Sequence, residues 1–386
     1  MCVWRQNAPA GDGVPTAGMA YKIGFVMEQT LGHVTHTQNF QQWVERDPDV
    51  EPSWIPVSFD LADHWRLAPL VRRNWTLRAS LRARARIREI LRSRQLDTLF
   101  FHTQVTALFA QGIMARIPSV VSMDATPLNF DSIGVPYNHI PSAYPPVEAF
   151  KNALTRRTFN AARRLITWHE WGKESLIRDY GVNGAKVAVI PPGINLEKWH
   201  FPRSPAPQPE APLRLLFVGG DFRRKGGDIL LAAFRDALRK TCTLDIVTRE
   251  SLNTEGLDGV QVHRGLGPNA PELMRLYARA DVFVFPTFAD TLPIVIMEAM
   301  ASGLPVVTTD VGALSEEVEH GVTGFLVPPH DPRALSEATL RLVSDPGLRL
   351  KMAAAARRKA DVKFNGAVNY ARVLELCKAC ADAGRI

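Results

Sequence analysis

The chain has 386 residues, of which 46% are hydrophobic and 22% charged, with a formal net charge of +7 and an isoelectric point near 9.4. This length favours two domains, and the composition is that of a globular protein. Four scattered cysteines exclude a disulfide framework and favour a reducing compartment. Because no apolar run approaches the roughly 18 residues of a membrane span, the sequence predicts no transmembrane helix.

The first 18 residues, MCVWRQNAPAGDGVPTAG, lack the apolar core of a signal peptide and predict a disordered leader. Together with the cysteine usage, this favours a cytoplasmic location. Cys377 and Cys380 form a C-x-x-C without a second pair, and the lone D-x-D from Asp47 to Asp49 lies in a polar stretch. We therefore predict no metal site at either place.

Strands alternate with helices along the chain, which is the pattern of a parallel sheet covered on both faces. In the first half the predicted strands are YKIGFVM (21–27), LDTLFFH (96–102), IPSVVSMD (117–124) and RRLITWH (163–169). In the second half they are LRLLFVGG (213–220), CTLDIVT (242–248), VQVHRG (260–265), DVFVFP (281–286) and LPVVTTD (304–310).

Five prolines within residues 197–214 indicate a linker between these halves. We predict an α/β protein with two doubly wound, Rossmann-like domains that face each other across a cleft. The predicted parts are a first domain over 19–196, a linker over 197–212, a second domain over 213–360, and a C-terminal helix over 361–386 that packs back on the first domain. Ligands of such sheets bind beyond the carboxyl ends of the strands.

The first turn of the second domain, FVGGDFRRKGGDILLAAF (217–234), is suited to an anion. Gly219 and Gly220 end an apolar strand, Arg224 and Lys225 follow, and a helix begins soon after. Glycines allow a ligand to approach the backbone, a helix start offers free N–H groups, and the cations suit a pyrophosphate. The spacing matches neither a dinucleotide fingerprint nor a P-loop. The alternative is a surface turn with solvated charges.

A second unusual stretch is FADTLPIVIMEAMASGLPVV (288–307), where Glu298 is the one charge in an otherwise apolar helix. Asp290 precedes this helix, and the amides from Thr291 to Val295 are expected to point from its start toward the cleft. An unpaired buried carboxylate costs several kcal/mol, so Glu298 needs a partner. That partner is either an internal arginine or backbone group, or a pair of sugar hydroxyls.

Residues 281–329 resemble the retaining nucleotide-sugar glycosyltransferases of family 4, which have the two-domain GT-B fold. Asp290 and Glu298 match the family's Glu-x7-Glu signature. VIPPGINLEKW (189–199) and DPRALSEAT (331–339) are also similar to the family. The similarity covers most of residues 163–360 and is weaker over the first half.

The resemblance implies roles for individual donor-site residues. Glu298 would hold the ribose hydroxyls, Asp290 the transferred sugar, and Lys225 the phosphates. The backbone of Thr291, Leu292, Pro293 and Ile294 would hold the diphosphate, while Gly265, in HRGLG, lies where the family lines the base pocket. The family's arginine, five residues before the lysine, is Gly220 here, so Arg224 is the alternative source of charge.

The first domain would then bind the acceptor. Its first turn, EQTLGHVTH (28–36), looks like the family's glycine-containing loop and places Gly32 and His33 near the cleft. Many relatives have an active-site histidine where this chain has Asp124. His102, at a strand end, is a further candidate facing the cleft, although histidines at strand ends are more often structural.

The reaction implied is hexosyl transfer from a UDP- or GDP-sugar to a glycan, lipid-linked or small-molecule acceptor, with retention at the anomeric carbon and without a metal or cofactor. The predicted catalytic residues are Asp290, Glu298, Lys225, His102 and Asp124. Two alternatives stay open. One is a GT-B sugar-nucleotide epimerase or hydrolase, and the other is a catalytically silent binding module, which the departures at Gly220, Asp124 and Asp290 suggest.

Much of the positive charge lies in VRRNWTLRASLRARARIREILRSRQ (71–95), which predicts an amphipathic helix with an arginine-rich face. Such a face can hold a protein on anionic lipid, or it can simply be solvated. We expect no nucleic-acid binding, because no base-stacking aromatics accompany the arginines. A peripheral location on the inner face of the membrane is therefore one expectation for this segment.

Overall fold

The computed structural model describes residues 20–30, 32–58, 74–137, 139–141, 144–201 and 211–384. The predicted leader over 1–18, residues 71–73 of the arginine-rich segment and residues 202–210 of the predicted linker lie outside the described residues. Within them, the chain forms two six-stranded sheets whose paired strands are all parallel. The predicted fold class is confirmed.

The N-terminal sheet has the strand order β2-β1-β3-β4-β5-β6. Its strands are β1 (Tyr21–Gln29), β2 (Val50–Ser58), β3 (Thr98–His102), β4 (Ser119–Met123), β5 (Arg164–Thr167) and β6 (Val187–Val189). The helices around it are α1 (His33–Val44), α2 (Trp75–Ile90), α3 (Gln104–Ala107), α4 (Gln111–Met114), α5 (Pro127–Ile133), α6 (Pro145–Ala161) and α7 (Glu170–Arg178). We call this unit the N-terminal domain.

The C-terminal sheet has the order β12-β11-β10-β7-β8-β9. Its strands are β7 (Leu213–Val218), β8 (Cys242–Val247), β9 (Val260–His263), β10 (Val282–Phe285), β11 (Val306–Thr309) and β12 (Gly324–Val327). The helices that follow β7 are α8 (Gly227–Ala233), α9 (Pro271–Arg279), α10 (Ile294–Ala301), α11 (Leu314–Glu317), α12 (Pro332–Ser344), α13 (Pro346–Lys363) and α14 (Gly366–Asp382). We call this unit, without α14, the C-terminal domain.

Both faces of the N-terminal sheet are covered. On one face, Ala83 and Ile87 of α2 share a buried cluster with Phe159 of α6. On the other face, Phe40 of α1 packs in a second cluster that includes Tyr370 of α14. Most buried positions of these helices are uncharged, with Arg78 of α2 as an exception, whereas most charged residues lie on the outer side. This division fixes which side of each helix faces the sheet.

Helix α14 is last in the chain but belongs to the core of the N-terminal domain. Its backbone joins this domain through Gly366 N, which donates to Ile194 O at 2.9 Å, and the Tyr370 hydroxyl donates to Gly193 O at 3.1 Å. Lys378 pairs with Asp47 at 2.9 Å. The first aspartate of the D-x-D motif therefore forms an ion pair with α14. Cys377 and Cys380 of the same helix are buried as free thiols.

Candidate active site between the two domains

The carboxyl ends of the two sheets meet at a cleft, and side chains connect them there. Asp124 directly follows β4, and its Oδ2 accepts a hydrogen bond of 3.3 Å from the Thr291 hydroxyl, which precedes α10. The carboxylate of Glu316 accepts from the backbone N–H groups of Glu170 and Trp171 at 2.8 Å each. These contacts place the predicted donor and acceptor residues on two sides of one cleft.

Lys225 and Asp290 form a short, largely buried ion pair on the C-terminal side. Burial lowers the pKa of the Lys225 ammonium, and the charge of Asp290 opposes that shift. The turn that delivers Lys225 requires glycine at Gly226, which has a φ of 75° and whose Cβ would lie 1.8 Å from the carbonyl oxygen of Pro286. Lys225, which is predicted to bind the phosphates, is thus held by Asp290, which is predicted to bind the transferred sugar.

The loop between β11 and α11 presses against Asp290. Gly312 has a φ of 58°, and a Cβ there would stand 2.1 Å from the carbonyl oxygen of Asp290. No other residue type fits at this separation without moving the backbone. Asp290 is therefore fixed by its backbone on one side and by Lys225 on the other.

Arg224 lies beside this pair but is already engaged. Its Nε donates to Asp221 Oδ2 at 2.9 Å, and its guanidinium lies 4.2 Å from the ring centre of Tyr137, across the cleft. Burial and the nearby Asp290 raise the pKa of Tyr137, so its phenol is neutral. No sequence pattern pointed to Tyr137, because it ends a single 3-10 turn and reaches the site only through the fold.

The first turn of α10 offers backbone donors. Pro293 is the N-cap of this helix. The Thr291 N–H donates to the Asp290 carboxylate at 3.1 Å, whereas the N–H groups of Leu292 and Ile294 have no backbone or side-chain acceptor among the described residues. Two free donors at a helix start make this a favourable place for an anion.

Glu298 is buried in α10 and has an internal partner, the Tyr277 hydroxyl, which donates to its carboxylate at 3.1 Å. No described cation pairs with it. Burial raises the pKa of Glu298 to about 8, and the tyrosine hydrogen bond offsets only part of that shift. The carboxyl is therefore mostly protonated at neutral pH, and its described side-chain partner is a tyrosine instead of the arginine or backbone group expected for an internal partner.

A second buried carboxyl was missed by the sequence analysis. Glu317 in α11 is fully buried, and neither of its carboxylate oxygens has a hydrogen-bond partner among the described residues. Burial, reinforced by the charge of Asp290, raises its pKa well above the usual range. The surrounding run SEEVE (315–319) is typical of a solvated helix face, so the sequence pattern does not indicate that the side chain of Glu317 points inward.

His33 lies on the N-terminal side and is held by two acids. Its Nε2 is 3.5 Å from Asp124 Oδ2 and its Nδ1 is 3.7 Å from Glu28 Oε1. Burial lowers its pKa, but the two carboxylates outweigh burial and raise it to about 10. Thr30 and Thr103 each donate to Glu28 at 2.6 Å. A cationic histidine thus lies at the cleft, while Gly32 before it is the N-cap of α1 and is exposed.

The expectation that His102 faces the cleft is wrong. His102 is fully buried at the end of the central strand β3, behind His33, and its ring stacks on Trp168 with centroids 5.6 Å apart. Neither ring nitrogen has a described partner, and burial lowers the pKa well below the usual range, so the ring is neutral. The rings of His33 and His102 lie edge to face with their centroids 4.7 Å apart.

The remaining predicted glycines lie at strand ends. Gly219 and Gly220 follow β7, and a Cβ at Gly220 would lie 2.9 Å from the guanidinium of Arg249. An arginine from the end of β8 therefore occupies the space beside Gly220. Gly265 follows β9 with a φ of 76° in open surroundings, which leaves it free to line a pocket.

The described residues contain no group of three or more histidine, cysteine or acidic side chains placed to hold a metal ion. Among the helices of these residues, none is both long enough and apolar enough to cross a membrane.

Two facing doubly wound sheets, with an anion site and acids where they meet, define a GT-B type of protein. Two family models match the sequence: Glycosyltransferase Family 4 over residues 47–198, and Glycosyl transferases group 1 over residues 212–345. The chain belongs to glycosyltransferase family 4.

Curated relatives include the D-inositol 3-phosphate glycosyltransferase of Streptomyces avermitilis, 31% identical over 225 residues, which are 52% of this chain and 48% of that protein. The D-inositol 3-phosphate glycosyltransferase 1 of Catenulispora acidiphila is 31% identical over 251 residues, which are 58% of this chain and 59% of that protein. The chain thus matches about half the length of such relatives.

Solved structures share the whole architecture. The sucrose-phosphate synthase of Thermosynechococcus elongatus has a TM-score of 0.73 at 18% identity, covering 94% of this chain and 100% of that one. The Anabaena protein HepE, solved with UDP and glucose, has a TM-score of 0.64 at 18% identity and covers 93% and 100%. At these identities the likeness establishes the GT-B fold.

Proposed function

We propose that the protein is a retaining glycosyltransferase of hexosyltransferase type, which moves a sugar from a nucleoside-diphosphate sugar to an acceptor without a metal ion. One observation carries the proposal: Lys225, Asp290 and the free N–H groups at the start of α10 converge on the cleft opposite Asp124 and His33. A diphosphate at the start of α10 would put its sugar between the two groups of side chains.

In this proposal, each donor-side group acts on one part of the nucleotide sugar. The helix N–H groups and Lys225 stabilise the charge that develops on the departing diphosphate, as preorganised donors do at oxyanion sites. Lys225 exchanges its contact with Asp290 for a phosphate oxygen, and Asp290 becomes free to accept from a sugar hydroxyl. Glu298 ionises when ribose hydroxyls donate to it.

On the acceptor side, Asp124 and His33 form the wall of the cleft that the sugar reaches. Asp124 is held by Thr291 and His33, so its carboxylate has a fixed position near the transferred sugar. Uridine or guanosine is the proposed base of the donor, and HepE, with UDP bound, is a neighbour that supports uridine. The acceptor is a glycan, a lipid-linked sugar or a small polyol, and the inositol phosphate relatives support an acceptor with several hydroxyls.

We further propose that the arginine-rich segment 71–95 holds the protein on an anionic membrane surface. Its central part is α2, whose outer residues Arg86 and Arg88 are exposed. A basic residue near an anionic surface contributes about 1 kcal/mol. This supports a peripheral location on the cytoplasmic side, and no nucleic-acid partner is proposed.

The test is the release of nucleoside diphosphate from a panel of UDP- and GDP-sugars, with and without an acceptor mixture and with a metal chelator present. The proposal expects release that needs acceptor, is unaffected by chelator, and yields a product with the donor's anomeric configuration by NMR. Acceptor-independent release would indicate a hydrolase or an epimerase side reaction instead. Binding of a nucleotide sugar without any turnover would indicate a silent binding module.

A further inference from the structure

An exposed apolar patch lies on the N-terminal domain beside the cleft. Of the ten exposed large hydrophobic side chains among the described residues, five fall between positions 135 and 150. They are Val135, Ile140, Tyr144, Val147 and Phe150, and we call them the apolar patch. Val135, Ile140 and Phe150 are 75%, 82% and 64% exposed. A concentration of this kind marks an interaction surface, whereas single exposed hydrophobic residues do not.

The backbone brings these residues together. The carbonyl oxygen of Gly134 accepts from the N–H groups of both Tyr137 and His139, so the chain turns back on itself there. Val135 and Ile140 directly follow Gly134 and His139, the two residues that the second of these hydrogen bonds joins. Helix α6 begins at Pro145, five positions after Ile140, and Val147 and Phe150 are three positions apart on its outer side.

Exposed cations continue from the apolar patch along the same face of the N-terminal domain. Helix α6 buries Phe159 in the cluster that also contains Ala83 and Ile87 of α2, so both helices cover one face of the sheet. Together the two helices carry eight basic and two acidic residues, and of the basic ones only Arg78 is buried. The outward-facing members include Arg156 and Arg157 on α6.

We propose that the apolar patch inserts into the surface of an anionic lipid bilayer, with the arginines of α2 and α6 contacting the headgroups. Apolar and aromatic side chains next to a basic helix face are the combination that binds such an interface. A protein partner fits less well, because the surplus of positive charge requires a strongly negative surface of the same extent. The inference goes beyond sugar transfer and extends the membrane contact proposed for 71–95.

The apolar patch lies at the same edge of the N-terminal sheet as the cleft. Helix α6 leads back into the amino end of β5, so it starts at the carboxyl edge of the sheet, where the cleft lies. Tyr137, within the turn that carries Val135, reaches across the cleft to Arg224. An acceptor with an apolar anchor would therefore meet the cleft at the bilayer surface.

Cosedimentation of the full chain with vesicles tests the proposal. The vesicles are phosphatidylcholine alone, or phosphatidylcholine with phosphatidylglycerol. Wild type should bind the anionic vesicles, and the triple variant Val135→Ser, Ile140→Ser, Phe150→Ser should bind about tenfold or more weakly. The control variant Leu350→Ser, Val362→Ser removes exposed hydrophobics from the C-terminal domain and should bind like wild type. Equal melting temperatures would show that all three proteins are folded.

A fluorescent label measures insertion directly. In a Cys2→Ser background, Phe150→Cys labelled with an environment-sensitive dye should shift to the blue on anionic vesicles and be quenched by brominated acyl chains. The same label at Leu350→Cys should not respond, because that residue lies on the other domain. The described native thiols, Cys242, Cys377 and Cys380, are buried and should not compete for the label.

Three results would overturn the proposal. In the first, the triple variant binds vesicles as tightly as wild type does. In the second, the Phe150 label stays in water while the variant Arg156→Glu, Arg157→Glu loses binding, which would mean that the contact is purely electrostatic. Alternatively, wild type could ignore vesicles but self-associate through the apolar patch, as judged by sedimentation velocity. None of these results affects nucleotide binding in solution, so the failure of this inference and that of the proposed transfer reaction are distinguishable.

Discussion

The protonation state of Glu298 follows from its surroundings. Its carboxyl lies in a helix whose mean composition is apolar, and its described partner, the Tyr277 hydroxyl, is neutral. A buried carboxylate without a cation is costly, so the protein holds the group mostly as the acid. Two sugar hydroxyls donating to it would supply the hydrogen bonds that make the ionised form favourable.

Proton release upon nucleotide binding follows from this assignment. The pKa of Glu298 is about 8 in the free protein, and hydroxyl donors lower it in the complex. At pH 7 the bound protein should therefore hold fewer protons than the free one, and up to about one proton should be released per nucleotide. Calorimetry of diphosphate binding in Tris and in phosphate buffer measures this number. Glu298→Gln should release none, and equal release from the variant would assign the proton to another group.

Lys225 should matter far more than its neighbour Arg223. Lys225→Ala removes a charge-assisted contact to phosphate, at a cost on the order of 1.5–3 kcal/mol in diphosphate binding. Arg223→Ala is the matched control, because that side chain is 83% exposed and pairs only loosely with Asp228 at 3.9 Å. Titration of the diphosphate into both folded variants compares them. Equal loss in the two would mean that only the overall charge of the turn matters.

At the scale of elements, the sequence predicted the central strands and missed three edge strands. β2, β6 and β12 lie at sheet edges and were not predicted. β2 contains two prolines, and β6 and β12 have three and four residues. Central parallel strands are buried on both faces and show as apolar runs, whereas β2 alternates buried and exposed residues around its prolines and β6 is partly solvated, so their patterns are weak.

The loop between β11 and α11 is an element whose position controls Asp290. Gly312→Ala should lower sugar transfer, because its Cβ would collide with the Asp290 carbonyl and displace that acid. Gly256→Ala is the control, since Gly256 has a φ of 72° but open space around it. Both variants should lose about 1 kcal/mol from the left-handed backbone. Turnover and melting temperature together separate the effects, and equal turnover in both variants would contradict the role of Gly312.

At the scale of the whole molecule, α14 joins the end of the chain to the N-terminal domain. Leu374→Ala should cost about 2–5 kcal/mol, because Leu374 is buried among residues of β1, β3 and α1. Val368→Ala, on the exposed side of the same helix, should cost little. Denaturant unfolding measures both. A small effect of Leu374→Ala would mean that the contact of α14 with the N-terminal sheet is not stabilising.

The sequence also predicted many residues of the donor side of the site but few of the contacts between their side chains. Lys225 and Asp290 lie side by side near the start of α10, Thr291 precedes that helix and Glu298 is buried within it, while their roles toward a donor stay predictions. The Lys225–Asp290 pair, the Asp124–Thr291 contact and Tyr137 over Arg224 join residues from distant parts of the chain. Such contacts depend on how two domains meet, and no local pattern records that.

The central claim is that two acids of the C-terminal domain hold different parts of one donor. Calorimetry of the free nucleoside diphosphate and of the matching nucleotide sugar, with Glu298→Gln and Asp290→Asn, tests it most directly. Glu298→Gln should weaken both ligands, since both carry the ribose. Asp290→Asn should leave diphosphate binding equal or tighter, because Lys225 is released from its partner, while transfer slows because the sugar is misplaced. Equal loss of diphosphate affinity in both variants, or in neither, would contradict the account.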